Sequence, residues 1–459
     1  MTTARPSTRP LASAVTALAG AGLWWLLESS GSDRLAALAA GLVLAVAAMV
    51  GTGRLGLGLL SPPMLYLAVL AMFHLGMALP WALGLYSGPF PMWFATLRLA
   101  PALALVALAM CAYLAGMLWG ARPAPRQATV HANPLLFGCG VGIYLAGCAM
   151  FFAGLESFGA MRFFDASYAE TYRLAAQFDP RLFGTSFTMV PIGLYLAAAG
   201  FPRRWLLGVI LLAAIWVTGI FYLGFRGFAM IPALVVLAVL SERGYRAPVW
   251  LNLALAALAL AAIPVVRAVR DQGARDRSWE VGKIHPLAGM VEMGGSLRPL
   301  VHTLAYLEVE PRRWGRTYWR SLTTVWPNLA RRWEGGRYLP LDQLPPNHWL
   351  TAQAEPGAYR QYGGLGFSAV AEPYMNFGLA GVMGYFFGLG AILARAAARR
   401  AARPVRLAAW AVVLGPLLWT TRNSFEIFFR PAVWGLLIVA MVWLLSGILR
   451  SRREAAWAC

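Results

Sequence analysis

Apolar runs long enough to cross a bilayer fill most of this chain, and arginine collects in alternate gaps between them. In hydrocarbon every backbone N–H and C=O must be paired within the chain, which only helices and closed barrels achieve. About 20 residues of helix cross the apolar core of a bilayer. The runs are too long for barrel strands, so an all-α polytopic integral membrane protein is expected. Charged residues are 13% of the 459 and hydrophobic residues 59%, against roughly 25% charged in soluble chains. The chemistry must then lie in loops or in a water-lined space between helices.

Twelve spans are read: Leu11–Leu27, Leu35–Val50, Pro63–Leu83, Leu97–Trp119, Pro134–Leu155, Gly184–Gly200, Trp205–Leu223, Phe228–Leu240, Val249–Val266, Phe367–Ala394, Val405–Thr420 and Pro431–Leu449. The second and eighth are the shortest. No small-residue cleavage site follows the first run, so it reads as a retained helix. One set of gaps carries Arg5/Arg9, Arg54, Arg122/Arg126, Arg203/Arg204, Arg243/Arg246, the cluster from Arg395 to Arg406, and Arg450 to Arg453. The other set holds the acids Glu28, Asp33, Glu156, Asp165, Glu170, Asp179 and Glu426. Arginine marks the cytoplasmic side, so both termini are expected in the cytoplasm. The chain then divides into a bundle of nine helices (1–266), a large extracytoplasmic loop (267–366) and three last helices with a cytoplasmic tail (367–459). The loop is far longer than a usual connection. Its stretch Leu297 to Leu307 is amphipathic and is expected along the membrane surface.

The formal charge is +20, and among 39 basic residues only Lys283 is not arginine. This charge is scattered among spans and not gathered on one face, which argues against a nucleic-acid partner. Three of the four cysteines lie in apolar runs and form no disulfide framework. No phosphate-binding Gly-Lys-Ser/Thr loop occurs. No Cys/His cluster has zinc spacing, and no Gly-x-Ser-x-Gly elbow is present.

Arginines at helix ends on the outer side are the chief candidates. Arg226 sits between two spans, Arg267 and Arg270 where the ninth helix ends, Arg360 before the tenth, and Arg422 and Arg430 around Asn423–Glu426. Arginine at such places can simply snorkel to headgroups. It can also grip a lipid diphosphate through bidentate guanidinium hydrogen bonds at any pH. The stretch from Gln361 to Gly381 is the most specific: Gly363, Gly364 and Gly366 permit close backbone approach. Ser368 and Glu372 share one face of a starting helix, and Tyr374, Asn376 and Gly378 follow. Glu372 entering the membrane is a functional candidate, or else it neutralises an arginine and stiffens the bundle. His74, alone in an apolar span, reads as a hydrogen-bonded core residue. His348 lies in a loop rich in Trp and Tyr, which either stack on sugars or form the interface belt.

Gly366-Phe367-Ser368 and the run from Ala371 to Gly381 resemble the signature of Wzy-type O-antigen polymerases, which polymerise oligosaccharide repeat units. Gly224–Gly227, Gly315–Tyr318 through Pro327, and Thr421–Phe425 agree in order. The likeness covers mainly residues 220 to 430. An Arg-x10-Gly spacing associated with such loops fits Arg173 to Gly184, and the long loop does not repeat it. The resemblance implies a GT-C-like glycosyltransferase with a large periplasmic loop in the bacterial cytoplasmic membrane. It would join repeat units of O-antigen, capsule or exopolysaccharide carried on undecaprenyl diphosphate, without cofactor or metal. Donor and acceptor would both be lipid-linked, and a chain-length regulator and a flippase would be partners. On this reading Glu372, His348, Arg226 and Arg422 are catalytic. Arg267, Arg270, Arg360, Ser368, Tyr374 and Asn376 bind substrate. A ligase using the same donor, a lipid-linked-oligosaccharide flippase and an envelope scaffold stay open as alternatives.

Overall fold

The structure is a computed structural model that describes residues 9–122, 130–157, 182–245, 247–271, 285–326, 341–357, 365–398 and 403–458, with single positions at 159, 174 and 359. Among these residues it is all helical. The first nine principal helices are α1 (Arg9–Ser30), α2 (Asp33–Met49), α3 (Pro62–Leu75), α4 (Ala100–Gly120), α5 (Pro134–Ser157), α6 (Phe183–Gly200), α7 (Leu206–Tyr222), α8 (Arg226–Glu242) and α9 (Val249–Asp271). The long connection that follows holds α10 (Ala288–Met293), α11 (Leu297–Tyr306), α12 (Arg316–Thr323) and α13 (Pro346–Ala354). The chain closes with α14 (Ala371–Ala398), α15 (Pro404–Trp419) and α16 (Glu426–Ala458). Arg270, Arg360, Arg173, Gly363 and Gly364 lie outside the described side chains.

Ten helices among the described residues are long and apolar enough to cross a membrane. Among the described residues one shorter apolar helix is α3, with 14 residues, and α8 has 17. The second run, expected to be short, is instead full length, because a π-helical turn over Val50–Arg54 prolongs α2. The third run is the one that breaks. Gly76 there lies so close to the Met290 carbonyl and the Gly294 nitrogen that a side chain would not fit, and only a single turn, Ala78–Ala82, follows.

Contacts between connections sort them into two faces. On one, Arg9 bonds the Ala121 carbonyl, Asn133 N–H donates to the Gly200 carbonyl at 2.9 Å, and Arg243 bonds the Phe201 carbonyl at 2.7 Å. On the other, Asp33 accepts from the N–H groups of Leu99 and Ala100 at 2.9 and 2.6 Å, and Arg34 donates to the Ala82 carbonyl at 2.8 Å. Each set joins only connections that the charge pattern places together.

Two helices sit at packing centres. Helix α4 is buried almost throughout, and Gly116 and Gly120 bring its backbone against Phe387 and Ala391 of α14. Helix α6 meets α5 through Gly193 and Gly140, each against the other's carbonyl. Small residues allow this close approach where no hydrophobic effect drives helices together. Outer helices such as α9 leave Leu253 and Leu258 uncovered, as lipid-facing helices do. The amphipathic α11 does not offer its apolar face to the membrane surface. Leu297, Leu300 and Val301 are buried, and α11 packs on α3, α4 and α14, so protein takes the place expected for lipid.

Candidate functional site

The segment before α14 is held from two sides. Gly366 has φ +78°, and a Cβ there would lie 2.7 Å from the Arg422 carbonyl. That carbonyl accepts the Phe367 N–H at 2.9 Å. The Ser368 hydroxyl accepts the N–H groups of Val370 and Ala371 at 3.1 and 3.3 Å, satisfying donors that the helix start leaves open. It also lies 2.7 Å from His74 Nε2. His74 Nδ1 faces the Leu70 carbonyl at 2.9 Å, so Nδ1 carries the proton and Nε2 accepts from the serine. His74 is thus a fully buried, hydrogen-bonded core residue.

Four residues on, Glu372 is 2% exposed. One carboxylate oxygen accepts the Phe425 N–H at 2.6 Å. Thr317 and Tyr318 of α12 lie close to the same carboxylate. Burial, and then the charge of Glu372, push the Tyr318 hydroxyl pKa well up. Asn376 donates to Thr317 Oγ1 at 2.7 Å and to the Glu372 carbonyl at 2.9 Å, and accepts the Gly315 N–H at 2.8 Å. Just beyond, α14 breaks at Gly378, with φ 63° and ψ −148°. The carbonyls freed by the break are taken up by the loop: Arg313 N–H donates to Met375 O at 3.1 Å and Trp314 N–H to Asn376 O at 3.2 Å. Irregular backbone within a membrane protein's packed helices persists where protein re-pairs it. Glu372 and Asn376 therefore form a clasp that joins the start of α14 to residues 315–317 and 425, and Ser368 ties it to His74 of α3.

Beside this clasp lies a cavity of about 370 Å³. Pro191, Pro232, Pro416 and Pro431 line it from four different helices. Proline removes a helical hydrogen bond and pushes the preceding turn away, so the four helices part here. The polar end is made by Arg226, Glu292, Arg422 and Asn423, and Trp419 forms part of the apolar wall. Arg226, at the first turn of α8, is 5% exposed and ion-paired with Glu292. Arg267 of α9 reaches the same carboxylate at 3.5 Å. Arg422 lies over the Phe73 ring, 5.4 Å from its centroid. Gly227 makes room for the Trp419 indole, which would collide with any side chain there.

Of the sequence candidates, the cavity brings together Arg226 and Arg422, with Arg267 one carboxylate away. Glu372, Ser368, Asn376, Tyr374 and His348 are not in its lining. Tyr374 is half-buried on α14, near Arg312. His348 is half-buried in α13, edge-on to Tyr359 with ring centroids 6.0 Å apart. Burial, and then Arg320, hold its pKa below 6.5. Its neighbour Asn347 accepts the Ser424 hydroxyl at 3.4 Å, which ties α13 to the segment that carries Arg422. Sequence reasoning missed Glu292. It is a single acid in a short apolar helix, and nothing in its neighbours marks it. Asn423 was within reach, since it stands beside Arg422 in a stretch already singled out.

The chain matches no curated protein and no solved structure. The family model described as O-antigen polysaccharide polymerase Wzy matches residues 139–453, a span that contains the cavity lining and the clasp around Glu372. The chain belongs to the O-antigen polysaccharide polymerase Wzy family, whose members polymerise O-antigen repeat units, and it is a multi-pass protein of the bacterial inner membrane.

Proposed function

We propose that the cavity seats the diphosphate of an undecaprenyl-diphosphate-linked oligosaccharide and that glycosyl transfer to a second lipid-linked unit takes place there, on the outer side of the membrane. The observation that carries this reading is the convergence of Arg226, Arg422 and Glu292 on one cavity, with Arg267 at the same carboxylate. Three guanidiniums and one carboxylate leave a charge of about +2, which matches the two charges of a diphosphate diester. The volume of about 370 Å³ is within the range of small-molecule sites. In the reaction the acceptor hydroxyl oxygen attacks the anomeric carbon. The bond from that carbon to the diphosphate oxygen breaks, and its electron pair leaves with the lipid diphosphate. Fixed guanidiniums stabilise the charge that grows there. We assign the acceptor's proton to Glu292, the carboxylate in the lining. The diphosphate competes for Arg226 and Arg267 and so frees this carboxylate as a base.

In this scheme Glu372, Ser368 and Asn376 position the Arg422 segment, and His348 and Tyr374 shape the acceptor side. Arg270 and Arg360 would add further guanidiniums for the diphosphate on the sequence reading alone, since both side chains lie outside those described. Twelve crossings with both termini cytoplasmic and a GT-C-like arrangement go with this reading, α3 and α8 being the two short crossings. A chain-length regulator and a flippase would work beside it. The test is purified chain in proteoliposomes with one defined lipid-linked repeat unit. A ladder of lipid-linked oligomers is the expected product. Transfer only to a lipid A acceptor would make the protein a ligase, and movement of the unit without a new glycosidic bond would make it a flippase. Either result would overturn the proposal.

A further inference from the structure

A second cavity of about 730 Å³ lies at the far end of α15. The 16 residues of that helix set it about 24 Å from the Arg422 end, on the face where the arginine-rich connections gather. One wall is cationic: Arg403, the extended N-cap residue of α15, and Arg406 in its first turn are exposed and both line the cavity, and the Arg406 N–H donates to the Arg403 carbonyl at 3.0 Å. The other wall is apolar, with Trp443 and Leu444 of α16 uncovered at 58% and 57%. Among the described residues the lining contains no carboxylate. Two helices begin here, α5 with Asn133 bonded to the Leu136 N–H at 3.1 Å and α15 at Pro404, which adds their positive dipole ends. Gly447 opens into the space, since a Cβ there would meet nothing within 4 Å.

We propose that this groove binds an anionic glycerophospholipid, with its phosphate on Arg403 and Arg406 and its acyl chains along Trp443 and Leu444. Charge complementarity selects the head group, and a zwitterionic lipid would bring its cation against two arginines. The apolar wall selects a lipid over free phosphate. The site lies away from the transfer cavity and does not rest on the function proposed for it.

The test is native mass spectrometry of the purified full chain with phosphatidylglycerol or phosphatidylcholine, with inorganic phosphate as competitor. Wild type should retain phosphatidylglycerol preferentially, and phosphate should not displace it. Arg403→Gln with Arg406→Gln should lower retention about 25-fold, at about fivefold per arginine near a membrane surface. Gly447→Trp keeps the charges and fills the groove, so it should lose the lipid while its thermal unfolding matches wild type. Equal retention of both lipids, displacement by phosphate, or undiminished retention in either variant would overturn the proposal.

Discussion

Arg226 and Glu372 are the two least exposed charged residues among those described, and the fold treats them in opposite ways. Arg226 meets another side chain, Glu292, at the edge of an open cavity. Glu372 meets a peptide N–H inside closed packing. A buried charge is costly unless it is paired: Arg226 has an opposite charge, whereas Glu372 has the Phe425 N–H on one of its oxygens. An ion pair beside open space can be exchanged for a ligand's charge. A bond to the backbone cannot, and it serves to hold one segment against another. Burial alone therefore does not identify the chemical group, whereas the kind of partner and the space beside it do.

Arg226→Ala should break the comparison most sharply. Loss of one preorganised charge partner at the reacting diphosphate should reduce chain growth by about 10²–10³-fold, read as polymer ladders in proteoliposomes, with thermal unfolding little changed. Arg226→Lys keeps the charge and loses the planar fork, so a partial loss is expected. If Arg226→Ala polymerises normally, the cavity is not the transfer site.

The clasp should show the reverse pattern. Glu372→Ala leaves the Phe425 N–H without its acceptor, which costs about 1–3 kcal/mol, measured as a lower unfolding temperature in detergent. Glu372→Gln keeps an oxygen in that place and should recover much of the stability together with the activity. A Glu372→Gln chain that is fully stable and fully inactive would instead make the carboxylate a proton acceptor. Gly366→Ala should fall between, because a side chain at φ +78° costs about 1–2 kcal/mol and also presses on the Arg422 carbonyl.

The smallest effect is expected at His348. Burial first, and then Arg320, lower its pKa from the ordinary imidazole value, which favours the neutral ring. Were it the base, activity would fall on the acid side as pH drops through that lowered value, and His348→Gln would abolish this limb. With Glu292 as base, His348→Gln should leave the shape of the pH profile unchanged.

The spans were legible because hydrophobic length and arginine placement are local signals with one cause, the bilayer. Glu372 and Ser368 were legible as unusual, since polar residues at a helix start inside an apolar stretch need partners. Their partners were not legible. His74 is 294 residues from Ser368 and the Phe425 N–H is 53 residues from Glu372. The break at Gly378 depends on N–H groups offered by Arg313 and Trp314, and one glycine among many does not announce it. The cavity was half legible. Arg226 and Arg422 stood out as outward arginines, while Glu292 joins them only through a contact across 66 residues.

Equilibrium binding of a lipid-linked unit to wild type and to Arg226→Ala/Arg422→Ala, with lipid diphosphate set against lipid monophosphate, bears most directly on the role of the cationic cavity. Wild type should prefer the diphosphate, and the double variant should lose that preference while remaining folded. Equal affinity of wild type for the two lipids, or a preference that survives in the double variant, would contradict it.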